Sequence, residues 1–234
     1  VSTGPVIFTA QGLRRGFIAC LPMLVAMAPF GLICGVLSQG VGLSLAETML
    51  MAMVVFAGSA QLVSLGIWAH PPDLLAVTLA TFVINLRMAL MGPVLAPWLD
   101  HLRGWRVWGS LFFMADQNWA MSVGEMNKGG RDAAYLLGSG LAFWSMWVAT
   151  SALGFVLGAA ISPAPGHPLF FAALAVFVVM LAQMWRGTGD VLPWLIAAGV
   201  STAVAWLLPG TFWYIVAGAL TGSVIAGVRD QRRA

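Results

Sequence analysis

Charge is what this sequence has least of. Only 8% of its 234 residues are Asp, Glu, Lys or Arg, against 60% hydrophobic, whereas an ordinary soluble domain is about 25% charged. No charge occurs from Gly16 to Ala46, Thr48 to Pro72, Ala133 to Trp185 or Val191 to Val228. Mean hydropathy is +0.91. A helix needs about 20 apolar residues to cross a bilayer, so several of these stretches hold one span and some hold two. Cysteine is scarce as well. Cys20 and Cys34 fall on one expected helix, roughly 21 Å apart by helical rise, too far for a disulfide. A clustered basic face, the footprint of a nucleic-acid binder, is missing, and the net charge of +3 reads as basic inner loops. These absences exclude a cytosolic enzyme, a nucleic-acid binder, a disulfide-stapled secreted domain and a disordered chain. The first apolar stretch is long and is followed by more membrane, so a cleaved signal peptide is not expected.

What is present predicts an all-α, polytopic membrane helix bundle of about six to eight membrane segments, some broken or re-entrant. It reads as one integral membrane domain over 1–234, with cytoplasmic tails at 1–15 and 229–234. The expected helices run from Gly16 to Leu37, over 43–68, from Leu74 to Leu99, over 107–124, and then from Ala133 to Ile161, Leu169 to Trp185, Leu192 to Leu208 and Phe212 to Val228. Pro22 and Pro29 should kink the first. Asp100 to Arg106 and Glu125 to Asp132 read as charged loops. Trp68, Trp98, Trp105, Trp108, Trp185, Trp194, Trp206 and Trp213 fall near expected helix ends, where indole favours the interface. No internal repeat is obvious by eye, although inverted repeats in transporters leave weak sequence traces.

Charge selects among topologies. If every stretch crosses fully, the loop with Arg103 and Arg106 faces the opposite side from the loop with Lys128 and Arg131, against the positive-inside rule. If 43–68 and 107–124 insert only halfway, Arg14, Arg15, Arg103, Arg106, Lys128, Arg131, Arg186 and the basic tail share the inner side. The second arrangement is the expectation, with roughly six full spans and two half-inserted elements.

Three places carry polar groups inside apolar runs. Phe56-Ala57-Gly58-Ser59-Ala60-Gln61 reads either as a broken helix whose freed N–H groups face protein or water, or as a tight crossing of small residues. Asn85 and Arg87 lie mid-span. An arginine there costs about 2.5–3.5 kcal/mol on insertion scales and needs a partner, a cavity or an escape to the interface. Arg87 reads as a functional group, or as half of a structural pair with Asp116 or Glu47. Asp116-Gln117-Asn118 covers most of a helix circumference, so it lines protein or water, or else is a surface loop. Glu47 reads as solvated at its helix start.

Enzyme chemistry fits poorly. Gly58-Ser59 suggests a serine intramembrane protease, but that needs a nearby base, and His70, His101 and His167 fall in expected turns or loops. Gly187-Thr188-Gly189-Asp190 matches the GxGD pattern of aspartyl intramembrane proteases, yet Asp116 lacks the Tyr-Asp context of the second aspartate. No HExxH and no Cys/His metal cluster is present.

At these residues the sequence resembles a known family. Val55-Phe56-Ala57-Gly58-Ser59-Ala60-Gln61 looks like a hallmark of the AzlC proteins, the large subunits of branched-chain amino-acid exporters. Asn85-Leu86-Arg87 with Leu90-Met91-Gly92 looks like a second, and Asp116 is similar to a third. The early helix with Pro29-Phe30-Gly31 and Gly35 also fits. Met88 stands where family members commonly have His, and Gln117 where they commonly have Glu. Each departure removes a titratable group. The resemblance implies a multi-pass transporter of the bacterial inner membrane that exports leucine, isoleucine or valine. It implies a small AzlD-type membrane subunit as partner, no cofactor, and no nucleic acid. Gly58, Ser59, Gln61, Asn85, Arg87 and Asp116 are the candidate substrate-binding residues. Arg87, or N–H groups near Gly58 and Ser59, would hold a carboxylate, and Asp116 an ammonium. Phe56, Met53 or Met91 would line the side-chain pocket. The rival reading is a non-transporting scaffold or assembly subunit, which would account for Gly31-x-x-x-Gly35 and Gly218-x-x-x-Gly222 as helix contacts.

Overall fold

A computed structural model describes residues 5–69, 71–161, 187–209 and 213–231, together with Val178. The expected turn at 163–168, the expected helix at 169–185, His70, His167, Arg186, Arg232 and Arg233 lie outside the described residues. Among the described residues, four helices are long and apolar enough to cross a membrane: Ala10–Gly40, Leu74–Leu99, Ala134–Ala160 and Thr188–Leu207. The chain is an all-α membrane helix bundle.

Helix α1 (Ala10–Gly40) starts earlier than charge alone suggests, so residues 10–15 are helical and not tail. Thr9 caps it, its Oγ accepting from Gly12 N at 3.0 Å. Asp132 in turn anchors Thr9, accepting from its backbone N at 3.1 Å and from its hydroxyl. Arg15 sits inside the helix because it pairs with Glu125. Beside α1 runs α8 (Ala134–Ile161). Successive contacts match Gly16 to Tyr135, Gly31 to Thr150 and Gly35 to Ser151, so the two helices are parallel. A Cβ on Gly16 or Gly154 would fall on the backbone carbonyl of Tyr135 or Leu32. The missing side chains are what let the helices approach this closely.

Parallel α1 and α8 require the chain to return between them. It returns through α4 (Leu74–Met91), which continues through a 3-10 turn (Gly92–Leu95) into α5 (Ala96–Leu99). α4 is regular through Asn85 and Arg87, and the irregularity falls at Gly92-Pro93. Trp98 closes this span at the N-terminal end of α8, its indole N–H donating to Gly130 O at 3.1 Å. At 2% exposure, Trp98 is a core residue, not the interfacial one its position near a helix end suggests.

The two interrupted stretches are both hairpins. α2 (Leu45–Val54) begins just after α1 ends, with a Ser44–Glu47 capping box. It reaches the middle of α8, where Met53 O accepts from Trp144 Nε1 at 3.0 Å. α3 (Gly58–Gly66) then runs antiparallel to α4, since Ser59 meets Arg87 and Ser64 meets Thr81. It therefore heads back toward the Leu74 end. α6 (Trp105–Phe112) enters from the other end: Trp105 packs edge-on against Phe8 and Arg106 lies over the same ring. Its end reaches mid-α8, where Phe113 packs on Trp144. α7 (Asp116–Asn127) returns to the end where Ile7 bridges Asp132. Glu125 thus lies in a helix and not in a loop.

Arg14, Arg15, Arg103, Arg106, Lys128 and Arg131 consequently gather at one end of the bundle, as the positive-inside argument expects. In a variant lacking Cys20 and Cys34, cysteines at Arg103 and Lys128, both exposed, should react with an impermeant thiol reagent from the same, inner side. Opposite-sided labelling would contradict the hairpin of α6 and α7. Near the C-terminus, α9 (Val191–Leu207) and α10 (Trp213–Gln231) form an antiparallel pair, with Gly218 against Ser201 and Gly222 against Ala197.

Candidate functional site

The two hairpin tips meet halfway along α8. Each tip is a short break: Val55 to Ala57 between α2 and α3, and Phe113 to Ala115 between α6 and α7. Phe56 turns the first break with φ +41°, a left-handed conformation that a bulky residue holds only when its surroundings impose it. Phe56 is buried. Gly58 follows because a Cβ there would come within 2.7 Å of the Trp147 ring and 2.8 Å of the Phe30 ring.

The second break is held by Asn118, which is fully buried. Its Oδ1 accepts from Ala115 N at 2.6 Å, and its Nδ2 donates to Phe113 O at 3.0 Å and Leu136 O at 3.3 Å. One side chain thus satisfies three backbone groups and ties the hairpin to α8. Asn118→Ala strands Ala115 N and Phe113 O at about 1–3 kcal/mol each, whereas Leu136 O keeps the Ser139 hydroxyl. The substitution should lower the thermal unfolding midpoint of the purified protein clearly, and an unchanged midpoint would refute this role.

Between the tips is a small open cavity of about 50 Å³. Its polar side carries Gly58, Ser59, Arg87, Asp116 and Gln117, and its apolar side Met27, Phe30, Phe56, Phe143, Met146 and Trp147. Arg87 Nη1 pairs with Asp116 Oδ2 at 2.8 Å, and Arg87 Nη2 donates to Ser59 Oγ at 2.7 Å. Both charged side chains are about one-third exposed, 34% and 33%, and both line the cavity. Gln117 Nε2 lies 3.5 Å from Met27 Sδ.

Of the six residues the sequence nominates, four line this cavity: Gly58, Ser59, Arg87 and Asp116. Gln61 lies behind the wall, where its Oε1 accepts from Trp147 Nε1 at 2.9 Å and its buried Nε2 has no partner among the described residues. Asn85 is outside the lining, and its buried Oδ1 also lacks a partner among the described residues. Phe56 lines the pocket as expected. Met53 and Met91 do not; their carbonyls accept from Trp144 and Trp119. Asp116 is not on a surface loop but opens α7. The pairing of Arg87 is with Asp116, while Glu47 is engaged by Ser44. Met27, Phe143, Met146 and Trp147 are lining residues that sequence reasoning passes over, and Asn118, noticed as polar, is not nominated for the site.

A membrane bundle in which two oppositely inserted helical hairpins meet at a charged cavity defines a class of polytopic membrane protein built around broken helices. The model of the AzlC protein family matches residues 22–161, from within α1 to the end of α8, and the chain belongs to the AzlC family. An uncharacterized membrane protein of Archaeoglobus fulgidus is 28% identical over 92% of this chain and 94% of its own length. One from Haemophilus influenzae is 23% identical over 75% of this chain and 72% of its own. The inner membrane protein YgaZ of Escherichia coli is 21% identical over 88% of this chain and 84% of its own. No solved structure matches.

Proposed function

We propose that this chain is the large subunit of a branched-chain amino-acid exporter of the inner membrane. In this reading it works with a small AzlD-type membrane subunit and carries out no covalent chemistry. One observation carries the reading: a cavity holding both a guanidinium and a carboxylate, Arg87 and Asp116, opposite a wall of Met27, Phe30, Phe143, Met146 and Trp147. Intramembrane ions are costly and tend to serve function. A carrier of a zwitterion with a branched apolar side chain has use for both charges and for the apolar wall. Broken helices whose ends converge mid-bundle are the usual site-forming device of carriers.

The scaffold reading draws on the small-residue seam of α1 and α8. It leaves unexplained why the charged pair opens onto a cavity. Release of labelled leucine from cells decides between them. The chain with its small subunit should export leucine, while the chain alone, and the pair carrying Arg87→Gln, should fall to background. Folded, membrane-inserted protein that exports no leucine, isoleucine or valine in any pairing would overturn the exporter reading.

A further inference from the structure

The two hairpin tips are alike in shape and opposite in charge. α3 begins at Gly58 with no side-chain cap and no acidic residue in its first turn. Its first helical hydrogen bond runs from Gln61 N to Ala57 O. The N–H groups of Gly58 and Ser59 precede that bond, so they have no intrahelical partner. Gly58 and Ser59 line the cavity beside the Arg87 guanidinium, and Arg87 Nε is a further buried donor without a partner among the described residues. α7 begins with Asp116, a carboxylate on its first residue, and Asn118 already takes the N–H of Ala115. One tip is therefore donor-rich and positive, and the other brings a negative charge. The helix-end partial charge adds to Arg87 at the first tip and is offset by Asp116 at the second.

We propose that the cavity seats an α-amino acid in one fixed direction, and that the Arg87–Asp116 ion pair is the stand-in for it in the empty site. This rests on the exporter reading above. The substrate carboxylate takes the place of Asp116 on Arg87 and on the N–H groups of Gly58 and Ser59. The ammonium takes the place of Arg87 on Asp116. The side chain lies on Phe30, Phe143, Met146 and Trp147. A molecule with only one charged end breaks the pair and leaves one partner unmatched, which is costly for a partly buried charge. Selection for both ends is therefore a property of the empty site. Each end of the substrate is held by a different hairpin, and the hairpins are rooted at opposite ends of the bundle.

The test uses the chain with its small subunit in proteoliposomes and reads counterflow of labelled leucine. The competitors are isoleucine, 3-methylbutylamine, which lacks the carboxylate, and 4-methylpentanoate, which lacks the amine. Isoleucine should compete comparably to leucine, and each one-ended compound about 100-fold more weakly, since a charge-assisted hydrogen bond lost at a buried site is worth about that factor. Because Arg87→Gln does not transport, the variants are read by ligand-induced thermal stabilisation of the purified pair, in which Arg87→Gln should selectively lose discrimination against the amine, and Asp116→Asn discrimination against the acid. The reverse pattern would overturn the direction. Leucine counterflow with one-ended compounds competing as well as isoleucine would overturn the paired seat and leave the exporter reading standing. That outcome is read on the unaltered protein, so it does not depend on either variant folding. Absence of leucine counterflow in the unaltered pair would instead overturn the exporter reading, and this proposal with it.

Discussion

Gly154→Leu should lower the thermal midpoint of the purified protein by on the order of 10 °C. The Cβ position at Gly154 falls on the backbone carbonyl of Leu32, and a neighbouring helix backbone cannot yield as a flexible side chain can. Overpacking a tight contact costs about 1–3 kcal/mol and sometimes more, and a protein of this size loses about 2–4 °C per kcal/mol. Gly199→Leu on α9 is the matched control. A Cβ there meets nothing within 4 Å, so its midpoint should stay within about 2 °C of the parent, in keeping with the small effect of surface substitutions. Equal effects at the two sites would remove the basis for treating α1 and α8 as a closely packed frame. That frame matters to the site, because α1 brings Met27 and Phe30, and α8 brings Phe143, Met146 and Trp147.

Exchanging the two charges, Arg87→Asp together with Asp116→Arg, should leave the protein folded and abolish transport. An ion pair is nearly symmetric as a structural device, so the exchanged pair can re-form across the same gap. Each single change, by contrast, strands a partly buried charge at a cost of up to about 3–5 kcal/mol. A substrate site is not symmetric. After exchange the donor-rich tip at Gly58 and Ser59 faces a carboxylate that competes with the substrate's own, and the ammonium seat becomes a guanidinium. Thermal midpoint near the parent with export reduced about 100-fold or more is the expected combination. Export that survives the exchange would identify the pair as structural.

Much of this arrangement is legible in the sequence. Gly58-Ser59 marks the first break, because small polar residues inside an apolar run signal freed backbone. Arg87 and Asp116 stand out because an intramembrane charge demands a partner. The hairpins follow from the basic residues at 103, 106, 128 and 131, which can share one side only if the stretch between them turns back. Other features are invisible to pattern. Asn118 looks the same in a surface loop as in a buried tip, and only its three backbone partners make it a clasp. Trp98 and Trp147 belong to the same residue type as the exposed Trp206. Their indole N–H groups are met by Gly130 and Gln61, which are distant in sequence. Gln61 and Asn85 were nominated for polarity in the right neighbourhood, but sequence spacing does not say which side of a wall a side chain occupies. Charge also misled at the start of α1, where Arg14 and Arg15 look like tail until Glu125 and Asp132 supply their end of the bundle with partners.

The most direct measurement is protection of the cavity by its substrate. Ser59 lines the cavity at the junction of both hairpins, 2.7 Å from Arg87. In a variant lacking the buried Cys20 and Cys34, Ser59→Cys should react with a small thiol reagent in the presence of the small subunit. Saturating leucine should slow that reaction at least about 10-fold, the shielding expected when nine-tenths of sites are occupied, while a cysteine at Arg103 should be unaffected. Reaction of Ser59→Cys at the same rate with and without leucine, in a pair that still exports it, would contradict the placement of the substrate between the two hairpin tips.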